Sequence, residues 1–532
     1  MPAVNAVAGL ILCLAILSYG AFRFISKRRF YHAKPGPPHS LLWGHMGIMR
    51  DIMAKMPPNM HIQAIFTEIA HTYGLEEIFY LDLWPIGLEI VVLNGPILSE
   101  QASVIKRYPQ HPFASGFLEA LVGPNALAAT NGPLWKKLHR AVVPACSWSN
   151  VHSMTRSIVD ETKVFCEILG SKAASGEAFP LEGLGGQLIF DIVGRVILDI
   201  PLYAQTTGSE YLDDIRGIVQ VAEASMEPKN MLNPISRMRI WWKKWYIASR
   251  LDPRISDMIR TRSAALARGG KSQVSTAKAC SILNLLVEDL QKDNKADLTE
   301  TLTTRQCDLI ITNTLTAHLQ FLFMLLSMAP QVVEEIRREH ATVLGNDLQQ
   351  ALDCIVETPE LLQNLTYTEA ACKEALRLFP VGVSPKDAGK GGTLTLEGEV
   401  FPVGDGRIIF LNGQDLHYNP RYFPEPTRFR PERWLDAETK VPRGYFRTFA
   451  TGPRTCAGQN MAYSIYKIVL LLTLSKFDFE CYDCRPNAEP RTCHTDLDTV
   501  FGDRIFQKWA VEAKPRGGMM MTVKERVSES KG

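Results

Sequence analysis

The first strong pattern along the chain is an apolar run. Ala3 to Phe22 carries no formal charge over twenty residues, softened only by Asn5, Ser18 and Tyr19. At ~1.5 Å rise per residue a helix of that length spans about 30 Å, the hydrocarbon thickness of a bilayer. Arg23, Lys27, Arg28, Arg29 and Lys34 follow at once, and positive charge behind a span keeps the rest of a chain cytosolic. The rival reading, a cleaved signal peptide, needs a basic start and a shorter apolar core. This start holds no Lys or Arg. The pattern predicts a transmembrane anchor over 1–25. Lys34-Pro35-Gly36-Pro37-Pro38 cannot be helical and predicts a stiff, basic, proline-rich hinge over 26–45.

Beyond the hinge the period changes. Ile62, Ile65, Phe66, Ile69 and Ala70 recur at helical spacing within Ile62 to Tyr73. Phe79, Leu81 and Leu83 alternate, so Glu77 to Leu83 and Ile86 to Leu93 read as a pair of strands. Met231 to Ile259 is basic and aromatic, with Arg237, Arg239, Trp241, Trp242, Lys243, Lys244, Trp245 and Tyr246. The expectation there is an amphipathic helix that packs its tryptophans on the core; the alternative is a surface touching lipid headgroups. Arg268 to Ala279 reads as a flexible loop.

Leu309 to Val333 again lacks formal charge and is interrupted by Pro330. Thr312, Asn313, Thr314, Thr316, His318 and Gln320 are too many polar groups for lipid. The segment predicts a long helix buried in protein, with Thr303-x-x-Gln306 as a capping box at its start. Later, Thr393 to Leu396 and Gly406 to Leu411 read as strands, with Glu397-Gly398 as a turn. Met461, Ala462, Ile465, Val469 and Leu472 mark a helix, and Met519 to Val523 a last strand.

Composition narrows the picture. The 532 residues suffice for a very large core, and a net charge of only +2 offers nothing to nucleic acid. Eleven scattered cysteines form no disulfide framework. Cys481-x-x-Cys484 with Cys493-His494 could supply four zinc ligands, but lies outside regular zinc spacings; reduced structural thiols are expected there.

The chemistry concentrates in Phe449-Ala450-Thr451-Gly452-Pro453-Arg454-Thr455-Cys456-Ala457-Gly458. Gly452 and Pro453 make this a loop, and the helical pattern that follows puts Cys456 at a helix mouth. Backbone N–H groups, the helix dipole and Arg454 there favour a thiolate, a ligand or a nucleophile. The bland alternative is a buried structural cysteine. The stretch matches, at every fixed position, the F-x-x-G-x-R-x-C-x-G haem loop of the cytochrome P-450 superfamily, which the chain resembles from anchor to last strand.

That resemblance implies roles for particular residues. Cys456 would be the axial thiolate of a haem iron, with Phe449 packed near it. Gly452 and Gly458 would let the backbone approach sulfur and porphyrin. Arg454 would pair with a haem propionate, as its planar fork suits a carboxylate. Trp135 matches the family's W-x-x-x-R helix, where His139 stands at the Arg position and Arg140 follows; Trp135 would then meet a propionate, with either His139 taking the arginine's role or Arg140 reaching round to it. Glu374 and Arg377 match the E-x-x-R pair, joined by Arg433 of Pro431-Glu432-Arg433-Trp434, as a buried structural network holding the haem loop. Counting back from Pro330 puts the oxygen-activating threonine at Thr314, with Thr316 in a rival register. Asn313 stands where the family has an acid, and Ile311 where it has the glycine of the oxygen groove.

The resemblance further implies a mainly α fold with a small β region, one haem-thiolate catalytic domain over 46–532. It implies a monooxygenase that oxidises an apolar small molecule, taking electrons from NADPH through a flavoprotein reductase. The style of the chain is similar to fungal secondary-metabolism members of the endoplasmic reticulum membrane. Two alternatives stay open: the same fold isomerising, dehydrating or coupling without oxygen insertion, and a haem sensor or electron carrier.

Overall fold

The computed structural model describes residues 2–84, 87–122, 127–227, 230, 233–267, 281, 299–436, 441–442, 444–492, 494–509 and 512–526. The apolar run folds as the helix Pro2–His32. Leu10, Leu17 and Phe22 are more than three-fifths exposed along it. Among the described residues, it is the one unbroken helix long and apolar enough to cross a membrane. Its last turns behave differently. Arg28 and Tyr31 are buried; the Arg28 guanidinium pairs with Asp82 and donates to the carbonyls of Leu42 and Trp84. Tyr31 packs with Tyr80, Val91 and Ile409.

The helix Ile62–Tyr73 forms where the spacing predicts and stops at Gly74, whose φ of 64° is left-handed. Strands Ile78–Asp82 and Glu89–Leu93 pair antiparallel, Ile78 opposite Leu93, and Ile408–Leu411 joins the second in parallel. Strands Thr393–Leu396 and Glu399–Pro402 form a hairpin over Glu397 and Gly398, both at positive φ. A third sheet pairs Met520–Glu525 with Phe179–Pro180 and with Phe477–Cys481. Glu399–Pro402, Phe179–Pro180 and Phe477–Cys481 were not expected as strands. In the last, alternating Phe477 and Phe479 face the core.

The long helix runs from Thr299 to Ser327. The side chains of residues 299–311, including the Thr303 and Gln306 capping box, lie outside the described residues. From Leu315 onward nearly every side chain is buried in protein rather than facing lipid. Phe321 stacks on Phe379 with ring centroids 4.4 Å apart. Pro330 opens the next helix, Pro330–Leu344, after a turn of 106°; proline lacks the N–H that an interior position must donate.

One expectation fails. The helix Pro234–Ala267 forms, but Trp241 and Trp242 are 64% and 61% exposed, and Trp245 and Tyr246 are about half exposed. The buried stripe is Ile247, Leu251 and Ile255, so the aliphatic side chains at i, i+4 and i+8 face the core and the tryptophans do not. Arg268 to Ala279 lies outside the described residues.

Candidate active site

The loop before helix Gln459–Lys476 is shaped by its backbone. Ala450 and Gly452 take positive φ, 57° and 78°, and the Cys456 N–H donates to the Phe449 carbonyl at 2.8 Å. A Cβ on Gly452 would sit 2.6 Å from the Ser103 carbonyl oxygen, so both conformation and space demand glycine. Phe449 packs against Tyr463 at 5.4 Å.

Cys456 shows accessible surface, yet that surface belongs to the lining of a cavity of about 290 Å³. Burial pushes its thiol up, and the Gly458 backbone N–H pulls it back only in part. The helix mouth alone therefore does not hold a thiolate. Metal coordination at the sulfur would deprotonate it. The same cavity tests whether a haem fits. Thr314, Leu315 and His318 of the long helix line it together with Phe449, Cys456 and Met461 of the cysteine loop and the helix that follows. Lys386, Arg447 and Arg454 also line it, with no carboxylate among its described lining residues. Burial lowers Lys386 to about 8, and Arg447 and Arg454 to about 10. A slot with a thiol on one face and uncompensated cations on its wall suits a flat dianionic macrocycle.

Arg454 is held at this wall. Its guanidinium donates to the Thr130 carbonyl at 2.7 Å and to Asn131 Oδ1 at 2.6 Å, and lies 4.4 Å from the Trp135 ring centroid. His139 stacks behind Trp135 at 4.7 Å, and burial and then Arg454 lower its pKa. Neither Trp135 nor His139 lines the cavity; both back Arg454. Arg140 points away, bonded to the Lys136 carbonyl in the open.

Glu374, Arg377 and Arg433 come together with almost no exposure. Arg377 Nε and Nη2 donate to the two Glu374 oxygens at 3.0 and 2.8 Å, and Arg433 Nε donates to Oε1 at 2.9 Å. Burial alone would raise the Glu374 carboxyl, but the two guanidinium groups hold it below its usual range. Two further residues complete the network. Trp434 Nε1 donates to Glu374 Oε2 at 3.0 Å. His417 accepts the Arg447 N–H at Nε2, 3.1 Å, so its Nδ1 carries the proton toward the Arg377 carbonyl, also 3.1 Å. His417 thereby ties the E-x-x-R helix to the start of the cysteine loop.

The long helix separates its polar residues between two spaces. Thr314 lines the Cys456 cavity. Asn313, Thr312, Thr316 and Gln320 line a second cavity on its other side, and the Thr316 hydroxyl donates to the Thr312 carbonyl at 2.6 Å. Asp308, the nearest acid upstream on the helix, has its side chain outside the described residues. The acid that meets Thr314 comes from elsewhere: the Thr314 hydroxyl donates to Glu512 Oε1 at 2.6 Å. Nothing in the sequence pattern pointed to Glu512, because 198 residues separate the pair.

Around the zinc-like spacing, Cys481 accepts a bond from Ser327 and His494 Nδ1 bonds Glu68 at 2.9 Å, while Cys493 lies outside the described residues.

A mainly helical body with one cysteine loop facing a cationic cavity, roofed by a long polar-faced helix, is the architecture of a haem-thiolate oxidoreductase. The Cytochrome P450 family model matches residues 35–495, and the chain belongs to this family. It is 28% identical over 506 residues to cytochrome P450 monooxygenase acrF of Aspergillus aculeatus, covering 89% of this chain and 99% of that protein. It is 27% identical over 507 residues to cytochrome P450 monooxygenase polC of Polytolypa hystricis, covering 91% and 88%. It is 24% identical over 522 residues to cytochrome P450 monooxygenase ptmJ of Penicillium ochrochloron, covering 96% of each.

Proposed function

We propose that this chain is a haem-thiolate monooxygenase that hydroxylates, epoxidises or repeatedly oxidises an apolar small molecule in secondary-metabolite biosynthesis. The observation that carries the reading is Cys456 facing Thr314 across one cavity with cationic walls. When bound, haem would supply dioxygen activation. Cys456 would hold the iron. Arg454 would meet a propionate, with Trp135 and His139 fixing Arg454 in place, and Lys386 and Arg447 would add charge in the same cavity. Phe449 shields the sulfur. Gly452 and Gly458 allow the close backbone approach. Glu374, Arg377 and Arg433 keep the loop in register. Leu315, Leu376, Val381, Val383 and Leu411 give the cavity its apolar lining, which is the basis for an apolar substrate.

Two electrons per turnover come from an NADPH-dependent flavoprotein reductase. The exposed apolar N-terminal helix supports an anchor in the endoplasmic reticulum membrane, where such a reductase would meet a cytosolic catalytic domain. An acid missing beside Thr314 would favour reaction without oxygen insertion; Glu512 stands in that place and supports oxygen insertion.

Reduced protein under carbon monoxide should show the red-shifted Soret band of a thiolate-ligated haem, and Cys456→Ser should abolish it. An unchanged spectrum in that variant would rule the assignment out. Oxygen and NADPH consumed with a reductase, in step with product, separates oxygen insertion from isomerisation, dehydration or an electron-carrier role.

A further inference from the structure

We propose that Glu512 is the acid of this enzyme's proton relay, passing protons into the Cys456 cavity through the Thr314 hydroxyl and refilled from the second cavity. The proposal rests on the monooxygenase reading above. Its foundation is that one hydrogen bond joins two spaces. Thr314 lines the cavity that holds Cys456. Glu512, its partner at 2.6 Å, lines the other, a cavity of about 370 Å³. The long helix lies between them, and the Thr314–Glu512 contact bridges it.

The second cavity is built for water and charge. Thr312 Oγ1 and Gln320 Oε1 are buried, have no protein partner and belong to its lining. Buried polar atoms require partners, and water is the one a polar cavity supplies. Lys514 reaches Glu182 at 3.2 Å and Glu223 at 3.3 Å on the same lining. Glu182 and Glu223 lie on separate helices, Leu181–Val193 and Glu210–Met226, so the charged wall is assembled by three segments.

Glu512 suits a proton store. Burial raises its carboxyl to about 8, against the Thr314 hydroxyl and then Lys514, which lower it. At neutral pH it carries its proton and can donate. The groups around it are Lys514 on its own segment, Asn313 and Thr314 on the long helix, Glu182, Arg216 and Glu223 on the cavity wall, and Tyr466 on helix Gln459–Lys476. The transfer balances without electron movement. When Glu512 is protonated the 2.6 Å contact can run the other way, Glu512 donating and Thr314 accepting with its own hydroxyl proton turned toward the Cys456 cavity; the Glu512 O–H bond then breaks as its proton passes to Thr314 Oγ1. The Thr314 proton leaves to an acceptor in the Cys456 cavity. A proton taken from solvent and carried by water through the second cavity then reprotonates the carboxylate, so no hydroxide is left behind. An amide at Asn313 does not block this route, because Asn313 faces the refilling side.

The test uses the full-length enzyme with its reductase and compares wild type with Glu512→Gln and Glu512→Asp. Glutamine keeps the shape and a hydrogen-bonding partner for Thr314 but has no proton to give. The expected Gln variant retains the thiolate carbon monoxide band. Its product formed per NADPH falls about tenfold or more, at or below the usual range for a lost general acid, and peroxide release rises to match. Wild-type coupling declines as pH rises through about 8, the value to which burial shifts Glu512; the Gln variant lacks that limb, and Asp restores part of it. In resting protein, infrared spectroscopy at pH 7 should find a protonated-carboxyl band, shifted in D₂O and missing from Glu512→Gln. Unchanged coupling and pH profile in the Gln variant would overturn the relay. So would a raised KM with intact coupling, which would make Glu512 a substrate-binding group. A wild type without the thiolate band would instead overturn the haem-thiolate reading itself, and the relay with it.

Discussion

Glu374 is a charge with nowhere to go. It is wholly buried and accepts bonds from Arg377, Arg433 and Trp434. Removing it leaves two buried guanidinium groups unpaired, at a cost of roughly 3–5 kcal/mol. Glu374→Ala is therefore expected to yield protein without haem, read as the haem-to-protein ratio. Full haem content with only an altered product would show that the network does not hold the cysteine loop. His417 adds a pH dependence. Burial lowers it to about 3 from an ordinary 6.5, so the folded protein keeps it neutral while the unfolded chain protonates. Stability from this group is intact above about 6.5, declines as pH falls below that value, and is lost by about 3. Haem retention should weaken along that window. His417→Asn should flatten the slope by about one proton's worth; His61 and His318, lowered to about 3, and His45 and His340, lowered to about 4, contribute in the same direction. An unchanged slope would remove His417 from the account.

At the scale of an element, the long helix decides the register of its threonines. Steps of ~100° per residue carry Thr314, Leu315 and His318 to one side and Thr312, Asn313, Thr316 and Gln320 to the other. Thr314→Ala should raise peroxide release per NADPH, whereas Thr316→Ala should leave coupling intact, because its hydroxyl is spent on the Thr312 carbonyl. The reverse result would move the oxygen-activating position by two residues. The helix is also the spine of the core. Phe321 is fully buried and stacked on Phe379, so Phe321→Ala should cost ~3–5 kcal/mol in chemical unfolding through the cavity it leaves.

At the scale of the molecule, the N-terminal helix divides into two functions. From Gly9 through Phe22 it is exposed and apolar; from Arg28 it belongs to the folded body. Deleting residues 2–22 is expected to release folded protein from membranes on carbonate extraction, with residual peripheral binding through the exposed Trp241 to Tyr246 face. Deleting residues 2–32 should also lower stability, by about 3–5 kcal/mol, because buried Asp82 loses its Arg28 partner. Equal melting temperatures for the two truncations would show that the docked end contributes nothing.

What the chain determined by itself was local. The cysteine loop, the helix Ile62–Tyr73, the hairpin at Glu397-Gly398 and the stop at Pro330 rest on backbone preferences and short-range periodicity, which a linear pattern records. Glu374 and Arg377 share a helix face for the same reason. The tertiary structure decided what depends on distant segments meeting. Asn313 stands where an acid was expected along the helix, and only folding brings Glu512 to Thr314. Only folding shows that Arg28 is a buried counter-ion rather than one more charge behind the membrane. The exposed tryptophans follow the same logic: periodicity marks an apolar stripe, but which stripe faces the core depends on what is packed opposite. The Cys456 thiol illustrates it most directly. A helix mouth favours the thiolate, burial opposes it more strongly, and the balance was settled by the depth of the site, which no local pattern encodes.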